Sequence, residues 1–423
     1  MSDARATTMA NMSRHIRWAT LAVAVVALSG CTVMAAEPAG PGPAAGVDTA
    51  DWMQTVFADH QDVTLGQVLI PGTHDSGTSG IVVSEPCGPT FNVGVSALTK
   101  VGAVLSPCIV TGLARTQTQT VGQQLEGGIR YLDLRVGVPA DQAFVADGSA
   151  SIAPAADPAV VPFVLQHVLV SLPLREALDQ IIEFSARHPK EQVILDFQHL
   201  DLPDSTPQVL QYYLDALDRV LTAYAPATAG AQPICASAWS RDVMPTPDAQ
   251  LASTVTIGQA WKLKRNLIVL VDPGQLPDRP CYRDRRAAIL SPWPDTEFAE
   301  VSAAANQADL QQRQQRLAAT PPQCLDDAGQ NWCGFFVNQM QLTIKSSTQK
   351  QCTVAPNDTC SLFAFNMSVN AGAARKISDW RTVQGLPVNI VILDYYNFSD
   401  PPFVPTMIEL NRRMVGTSAK VQQ

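Results

Sequence analysis

A chain of 423 residues with 46% hydrophobic and 16% charged residues is long enough for one large core or for two domains, and too apolar for a disordered protein. Its formal charge of −9 excludes an extended nucleic-acid interface, which needs a basic face to meet the phosphate backbone. A lipid bound in a local pocket is compatible with that charge.

Near the start, Arg14, His15 and Arg17 precede an apolar run from Trp18 to Leu28. The run is too short to span a bilayer and suits the core of an export signal. It ends in Leu28-Ser29-Gly30-Cys31, which resembles the lipobox of bacterial lipoproteins, whose cysteine is lipidated and becomes the mature N-terminus. Cleavage near Ala35 or Ala36 is the alternative. Residues 32–50, rich in Pro, Gly and Ala, read as a flexible tether. The expected organisation is a signal peptide over 1–31, a linker over 32–50 and one catalytic domain over 51–423, in an exported protein that is lipid-anchored or secreted. The nine cysteines fit this. Without Cys31 an even set remains, as in a disulfide framework, and none has zinc-ligand spacing. Sequence proximity suggests Cys87–Cys108, Cys324–Cys333 and Cys352–Cys360, leaving Cys235–Cys281, although sequence alone does not determine connectivity.

A short helix is expected over Ala50–His60, then a strand over Gln67–Ile70. Pro71-Gly72 should end that strand and present Thr73, His74, Asp75 and Ser76 on the turn beyond it. Residues 77–119, rich in Gly, Ser and Thr, read as a long loop pinned by a disulfide. Val121–Glu126 is a helix ended by Gly127-Gly128. Ile129–Val136 alternates apolar and polar positions as a strand does, with Asp133 and Arg135 on one face. A third strand, Pro162–Val168, carries His167. Leu174–His188 has the apolar stripe of an amphipathic helix and stops at Pro189. Further strands are expected at Gln192–Phe197, Asn266–Val271, Phe335–Leu342 and Val388–Leu393. Helices are expected at Pro207–Tyr224, Thr296–Leu317 and Pro405–Val415. At least seven strands alternating with helices predict an α/β fold, a distorted TIM-type (β/α) barrel, in which catalytic groups sit at the C-terminal ends of strands.

His74, His167 and Asp394 each end a predicted strand, and Asp133 and Arg135 lie on another. Two histidines can serve as base and acid near neutral pH, and an arginine fork suits a phosphate oxyanion. Together they make a phosphodiester-cleaving site that needs no metal. His188 and His199 read as helix-end or surface residues. Asp196 and Asp272 read as strand-end caps, with ligand contact the alternative. Trp261, Trp293 and Trp332 read as core, with a membrane-facing rim the alternative.

These residues sit in stretches that resemble the phosphatidylinositol-specific phospholipase C family, X-domain type. The matching stretches are Ile70-Pro71-Gly72-Thr73-His74-Asp75-Ser76, Gln124 through Arg135, the strand ending in His167, and Phe184 through Leu195 with His188-Pro189 and Glu191. The match covers residues 65 to 200 and weakens beyond them to strand order and Val391-Ile392-Leu393-Asp394. The resemblance implies cleavage of phosphatidylinositol, or a related glycerophosphoinositide, at a membrane surface, giving diacylglycerol and inositol 1,2-cyclic phosphate; a metal-dependent glycerophosphodiesterase and a non-catalytic phospholipase-like surface protein are the alternatives. It implies His74 as base, His167 as acid, Arg135 on the phosphate, Asp394 orienting His74, Asp75 supporting His167 and Asp133 holding Arg135. In the calcium-dependent branch a carboxylate stands where Arg135 is. The resemblance therefore implies the calcium-independent bacterial type, a monomer with no metal or other cofactor. Basic residues on the fourth and fifth strands of those enzymes contact inositol. Gln198 and Pro273 occupy the corresponding places, with Gln198, Gln339, Gln341, Tyr395 and Tyr396 as candidate sugar contacts.

Overall fold

The computed structural model describes residues 48–81, 107–139, 161–204, 206–227, 231–348, 351 and 360–421. The expected signal and lipobox lie outside the described residues, as do nearly all of the linker, Cys87 and Cys352. The Cys87–Cys108 and Cys352–Cys360 pairings therefore also fall outside them. Disulfides join Cys235 to Cys281 and Cys324 to Cys333. Among the described residues no helix is long and apolar enough to cross a membrane.

Among the described residues ten strands form one sheet: β1 (Ile70–Thr73), β2 (Tyr131–Gly137), β3 (Val164–His167), β4 (Leu169–Pro173), β5 (Val193–Asp201), β6 (Leu267–Val271), β7 (Tyr282–Asp284), β8 (Ile289–Leu290), β9 (Phe335–Gln339) and β10 (Ile390–Leu393). Their order is β7–β6–β5–β2–β1–β10–β9–β8, and every neighbouring pair is parallel. With β3 and β4 set aside, spatial order follows chain order round a ring that stays open between β7 and β8. This is a distorted TIM-type barrel in a single domain. The eight barrel strands all point their C-terminal ends at one mouth. Helices such as Leu174–Arg187 pack outside, burying Leu174, Ala177, Leu178, Ile181, Ile182 and Phe184 as their spacing implies.

The first strand does not end where Pro71-Gly72 suggested. It begins at Ile70 and runs through both residues to Thr73, between β2 and β10. In a parallel ladder an amide at 71 would face the carbonyl of residue 128, because the Pro71 carbonyl accepts from Arg130 N. The Gly128 carbonyl accepts from Trp52 Nε1 instead, at 3.0 Å. A side chain thus takes the place of the missing proline donor. Gly72 is required by closeness: a Cβ there would come within 2.9 Å of Ile392 and Tyr131.

The third expected strand is not a barrel strand. β3 pairs antiparallel with β2 and β4 and forms a hairpin leaning over the mouth. An apolar run such as Val164-Leu165 carries no mark of strand direction, so the pattern could not distinguish the two cases. The barrel is completed by β7 and β8, of three and two residues, too short to carry a period. The long loop after β1 contains a helix, Pro107–Ala114. Helices Leu362–Asn370 and Ala373–Thr382 were also not expected.

The β3–β4 hairpin turns at Val168, whose φ is +64°. A β-branched residue is poorly suited to this left-handed region, which Asn tolerates. Val168→Asn is therefore expected to raise the unfolding free energy by on the order of 1 kcal/mol, measured by chemical denaturation. A loss of stability would contradict the strained turn.

Candidate active site

Each strand end delivers a polar side chain to the mouth. His74 and Asp75 follow β1, Arg135 lies near the end of β2, and Asp272, Arg285, Ser291 and Asp394 follow β6, β7, β8 and β10. Gln339 closes β9. His167 arrives from the hairpin. These residues, with Gln198, Gln275, Trp293 and Gln341 among others, line one cleft of about 930 Å³; Asp75 lies beneath its floor.

The catalytic candidates converge. His74 Nδ1 meets Asp394 Oδ1 at 2.8 Å. His74 Nε2 lies 2.8 Å from a terminal nitrogen of Arg135 and 3.5 Å from Asp75 Oδ2. The same Asp75 oxygen is 3.3 Å from His167 Nδ1, which also lies 2.7 Å from the Ala114 carbonyl. Arg135 Nε is paired with Asp75 Oδ1. Its terminal nitrogen is 3.4 Å from Asp133 Oδ2, which accepts from Asp75 N at 3.1 Å. The two imidazoles are 6.1 Å apart, edge to face. Asp75 thus faces both histidines and the guanidinium. Its φ of +44° places the turn in the left-handed region that Asp tolerates.

The contacts of His74 favour opposite charge states. Burial disfavours the imidazolium, but the Asp75 and Asp394 carboxylates outweigh burial and raise the pKa to about 9, with Arg135 opposing them. A guanidinium has only donors. With Arg135 against it, Nε2 must be the unprotonated nitrogen and Nδ1–H the donor to Asp394. That is the tautomer a base needs. Burial pushes the Asp75 carboxyl up, but Arg135 and the histidines overcome it and hold the carboxyl below its usual range. Burial raises Asp394, against the pull of His74.

The other half of the cleft departs from expectation. β5 carries a bulge opposite Leu134–Arg135, so that His199 rather than Gln198 pairs with Arg135. Bulges re-aim side chains beside active sites. Here two consecutive residues line the cleft: Gln198, and His199 at its rim, which had read as a plain surface residue. With its amide oriented to suit its neighbours, Gln198 donates to both Asp133 oxygens, at 2.9 and 3.1 Å, and accepts from Arg285 at 3.1 Å. Arg285 Nε bonds Asp196 Oδ1 at 2.6 Å, and Asp196 Oδ2 accepts from Tyr131 at 2.6 Å. Asp196 is fully buried, the partner of a cation that sequence reasoning missed. Arg285 sits in Arg283-Asp284-Arg285-Arg286, which resembles an ordinary solvated charge run.

Gln339 lines the cleft, but its amide is engaged with Ser291 and Gln341. Tyr395 is a correction: it is fully buried and donates to the Arg115 carbonyl at 2.7 Å. Its φ of +49° turns the chain just after Asp394, and its ring packs on Phe363 and Phe398. Tyr396 is likewise buried and bonds Gln119. Of the three tryptophans weighed for the rim, only Trp293 lies there, 57% exposed; Trp332 is buried. Trp261 donates to Lys190 O, just ahead of β5, at the barrel end away from the mouth. His188 ends a helix and bonds Asp51.

His74, Asp75 and Asp133 offer ligand atoms within 4.8 Å of one another. All three already contact the Arg135 guanidinium. Its fixed charge stands where a divalent ion would have to sit, so these residues do not fit a metal while Arg135 is in place.

No family model matches the chain. The chain is 31% identical over 175 residues to PI-PLC X domain-containing protein 2 of Mus musculus, a match covering 41% of this chain and 46% of that protein. It is 24% identical over 366 residues to PI-PLC X domain-containing protein 3 of Homo sapiens, covering 86% of this chain and 93% of that protein. It is 23% identical over 248 residues to the variant-surface-glycoprotein phospholipase C of Trypanosoma brucei brucei, covering 57% and 58% respectively. The chain thus spans about half the length of protein 2 in mouse and human. Among solved structures, it is similar to phosphatidylinositol-specific phospholipases C from Staphylococcus aureus and Listeria monocytogenes. Identities are 12% and 16%, TM-scores 0.47 and 0.45, covering 86% of this chain and 96% and 99% of those chains.

Replacing the guanidinium with a carboxylate should open the site to a cation. Arg135→Asp is expected to gain thermal stability as calcium is added, by about 2.7 kcal/mol at a hundred times the dissociation constant, while the parent protein does not respond. Calcium stabilisation of the parent in differential scanning calorimetry would overturn this account of the cluster.

Proposed function

We propose that the protein is an exported, metal-independent phospholipase C that cleaves phosphatidylinositol, or a closely related glycerophosphoinositide, at a membrane surface. The observation that carries this reading is the placement of Arg135 and Asp75 between two histidines, one of them backed by Asp394. The similarity to X-domain proteins supports it. The disulfides Cys235–Cys281 and Cys324–Cys333 fit an oxidising compartment.

In this reaction the inositol 2-hydroxyl takes the place of Arg135 at His74 Nε2. His74 removes the hydroxyl proton as the oxygen bonds to phosphorus. The bond from phosphorus to the glycerol oxygen breaks, and His167 gives that oxygen a proton. Diacylglycerol leaves, and the inositol keeps a 1,2-cyclic phosphate. Arg135, freed from His74, holds the non-bridging oxygens. With Nδ1 of His167 directed at Ala114 O and Asp75, Nε2 is the nitrogen left to act as acid.

The remaining hydroxyls meet the wall beyond. Asp272 Oδ1 and Gln275 Oε1 after β6, and Gln341 Oε1 after β9, are buried acceptors without a hydrogen-bond partner among the described residues. Arg285 supplies donors in the same cleft. A polyhydroxyl head group satisfies both sets, in place of the expected basic residues at Gln198 and Pro273.

With phosphatidylinositol in excess chelator, phosphorus NMR should record a cyclic phosphate product. His74→Ala and His167→Ala should each slow its formation by on the order of a hundred- to ten-thousand-fold. Activity that appears only on adding a divalent ion would refute the proposal.

The base works as the neutral ring, so kcat/KM should climb with pH until His74 is deprotonated, near 9 in the free enzyme. Asp394→Asn removes one of the two carboxylates that raise this pKa. The ascending limb should then move to lower pH, and the plateau rate should fall. A limb that moves to higher pH, or not at all, would separate Asp394 from the base.

A further inference from the structure

Three buried carboxamides surround the His74–Asp394 pair, and they hold different parts of it. Gln117 Nε2 donates to the carbonyls of His74 and Leu393, at 3.0 and 2.9 Å, clamping the ends of β1 and β10 together. Asn370 Nδ2 donates to the carbonyls of Asp394 and Tyr395, both at 2.9 Å. Asn366 alone of the three reaches the reacting charge. Its Nδ2 lies 3.0 Å from Asp394 Oδ2, the oxygen that does not face His74. The same nitrogen bonds Leu362 O at 3.0 Å, and Oδ1 accepts from Leu342 N at 3.0 Å. Both donors and one acceptor lone pair of the amide are engaged, and the side chain is 1% exposed. It has one seated orientation.

We propose that Asn366 is a positioning residue for the base: it fixes the Asp394 carboxylate by its second oxygen, so that the first stays aimed at His74 Nδ1. This rests on the phospholipase reading above. Neutral donation suits the task. A cation at this place would attract Asp394 away from His74 and disfavour the imidazolium that forms during reaction. An aliphatic residue would leave a buried carboxylate oxygen without a partner, which is costly. Asn366 also ties the base to the head-group wall, because Leu342 is flanked by Gln341 and Thr343, which line the cleft. The other charged groups facing the pair are Asp75, Arg135 and His167, and none of them bonds Asp394 Oδ2.

The test compares Asn366→Leu, Asn366→Asp, Asp394→Asn and Asn370→Ala in the full chain, with cyclic phosphate formation from phosphatidylinositol vesicles as readout. Circular dichroism and melting temperature report folding. Asn366→Leu should lower kcat about tenfold or more with KM little changed, and should shift the ascending limb of kcat/KM to lower pH, because a less stable Asp394 charge supports the imidazolium less. Asn366→Asp keeps the shape and the Leu342 bond. Its carboxyl donates when protonated and repels Asp394 when ionised, so its rate relative to the parent should fall as pH rises. In an Asp394→Asn background, Asn366→Leu should have little further effect on kcat. Asn370→Ala should lower the melting temperature without moving the limb.

The proposal is overturned if folded Asn366→Leu and Asn366→Asp keep the parent profile, or if the Leu effect persists in full without the Asp394 carboxylate. If Asp394→Asn itself leaves the rate unchanged, the relay reading fails instead, and the two failures are thereby distinguished.

Discussion

The mouth of this barrel is organised by the need to keep buried carboxylates charged. Asp75, Asp133, Asp196 and Asp394 are each 1% exposed or less and open on the same cleft or its floor. An unpaired charge in such a place would take up a proton or destabilise the fold. Arg135 answers Asp75 and Asp133, and Arg285 answers Asp196. Among the described residues, the Asp394 carboxylate bonds His74 and the neutral amide of Asn366. Negative charge is in excess, and the imbalance falls on the ring between Asp75 and Asp394, raising its pKa above the ordinary histidine value. The basicity of His74 therefore follows from the count of carboxylates around it more than from any single partner.

The sheet explains why these groups meet. Parallel strands bring successive chain segments to one end, so residues at 74, 135, 272, 285 and 394 become neighbours without any local signal that they should. Much of this was legible in the chain. Titratable residues at the ends of apolar strand runs pointed to His74, Asp133, Arg135 and Asp394. Other parts left no trace. The direction of β3 is not written in an apolar run, so His167 was placed on a barrel strand when it rides a hairpin. β7 reads Tyr-Arg-Asp, too short and too polar to announce a buried strand, and its successor Arg285 was hidden with it. Asn366 stands in a helix whose sequence, Leu-Phe-Ala-Phe-Asn-Met, has apolar residues on all sides. Pro71-Gly72 carried a true local preference that was overridden by one distant donor, the indole of Trp52.

On the proposed reading, the far wall of the cleft offsets a missing contact from another element. The basic residues expected at Gln198 and Pro273 are absent, yet a guanidinium still stands in the cleft, carried on the turn after β7. Gln198 links it to Asp133, and so to Arg135. The chain from Tyr131 through Asp196, Arg285, Gln198 and Asp133 to Arg135 is a continuous series of hydrogen-bonded groups. Its cost is that Arg285 cannot move freely: one face is committed to Asp196. Its benefit is orientation. A guanidinium held by a buried carboxylate presents its remaining donors in a fixed direction, which discriminates among hydroxyl arrangements better than a mobile lysine would.

In the proposed reaction Arg135 serves in two successive ways. Before substrate enters, it donates to His74 Nε2 and so stabilises the neutral ring against two carboxylates that favour protonation. When a hydroxyl occupies Nε2, the guanidinium is displaced toward the phosphate, which carries the negative charge it lacks a partner for. The contact that opposed protonation of His74 is then gone. As the hydroxyl proton arrives, Asp75 and Asp394 stabilise the imidazolium, and the charge that opposed it lies on the phosphoryl oxygens. Substrate binding thus moves the ring to a setting that favours its protonated form still more. The base is made stronger only when there is a proton to take, and that timing depends on Arg135 leaving His74 Nε2, which it contacts at rest.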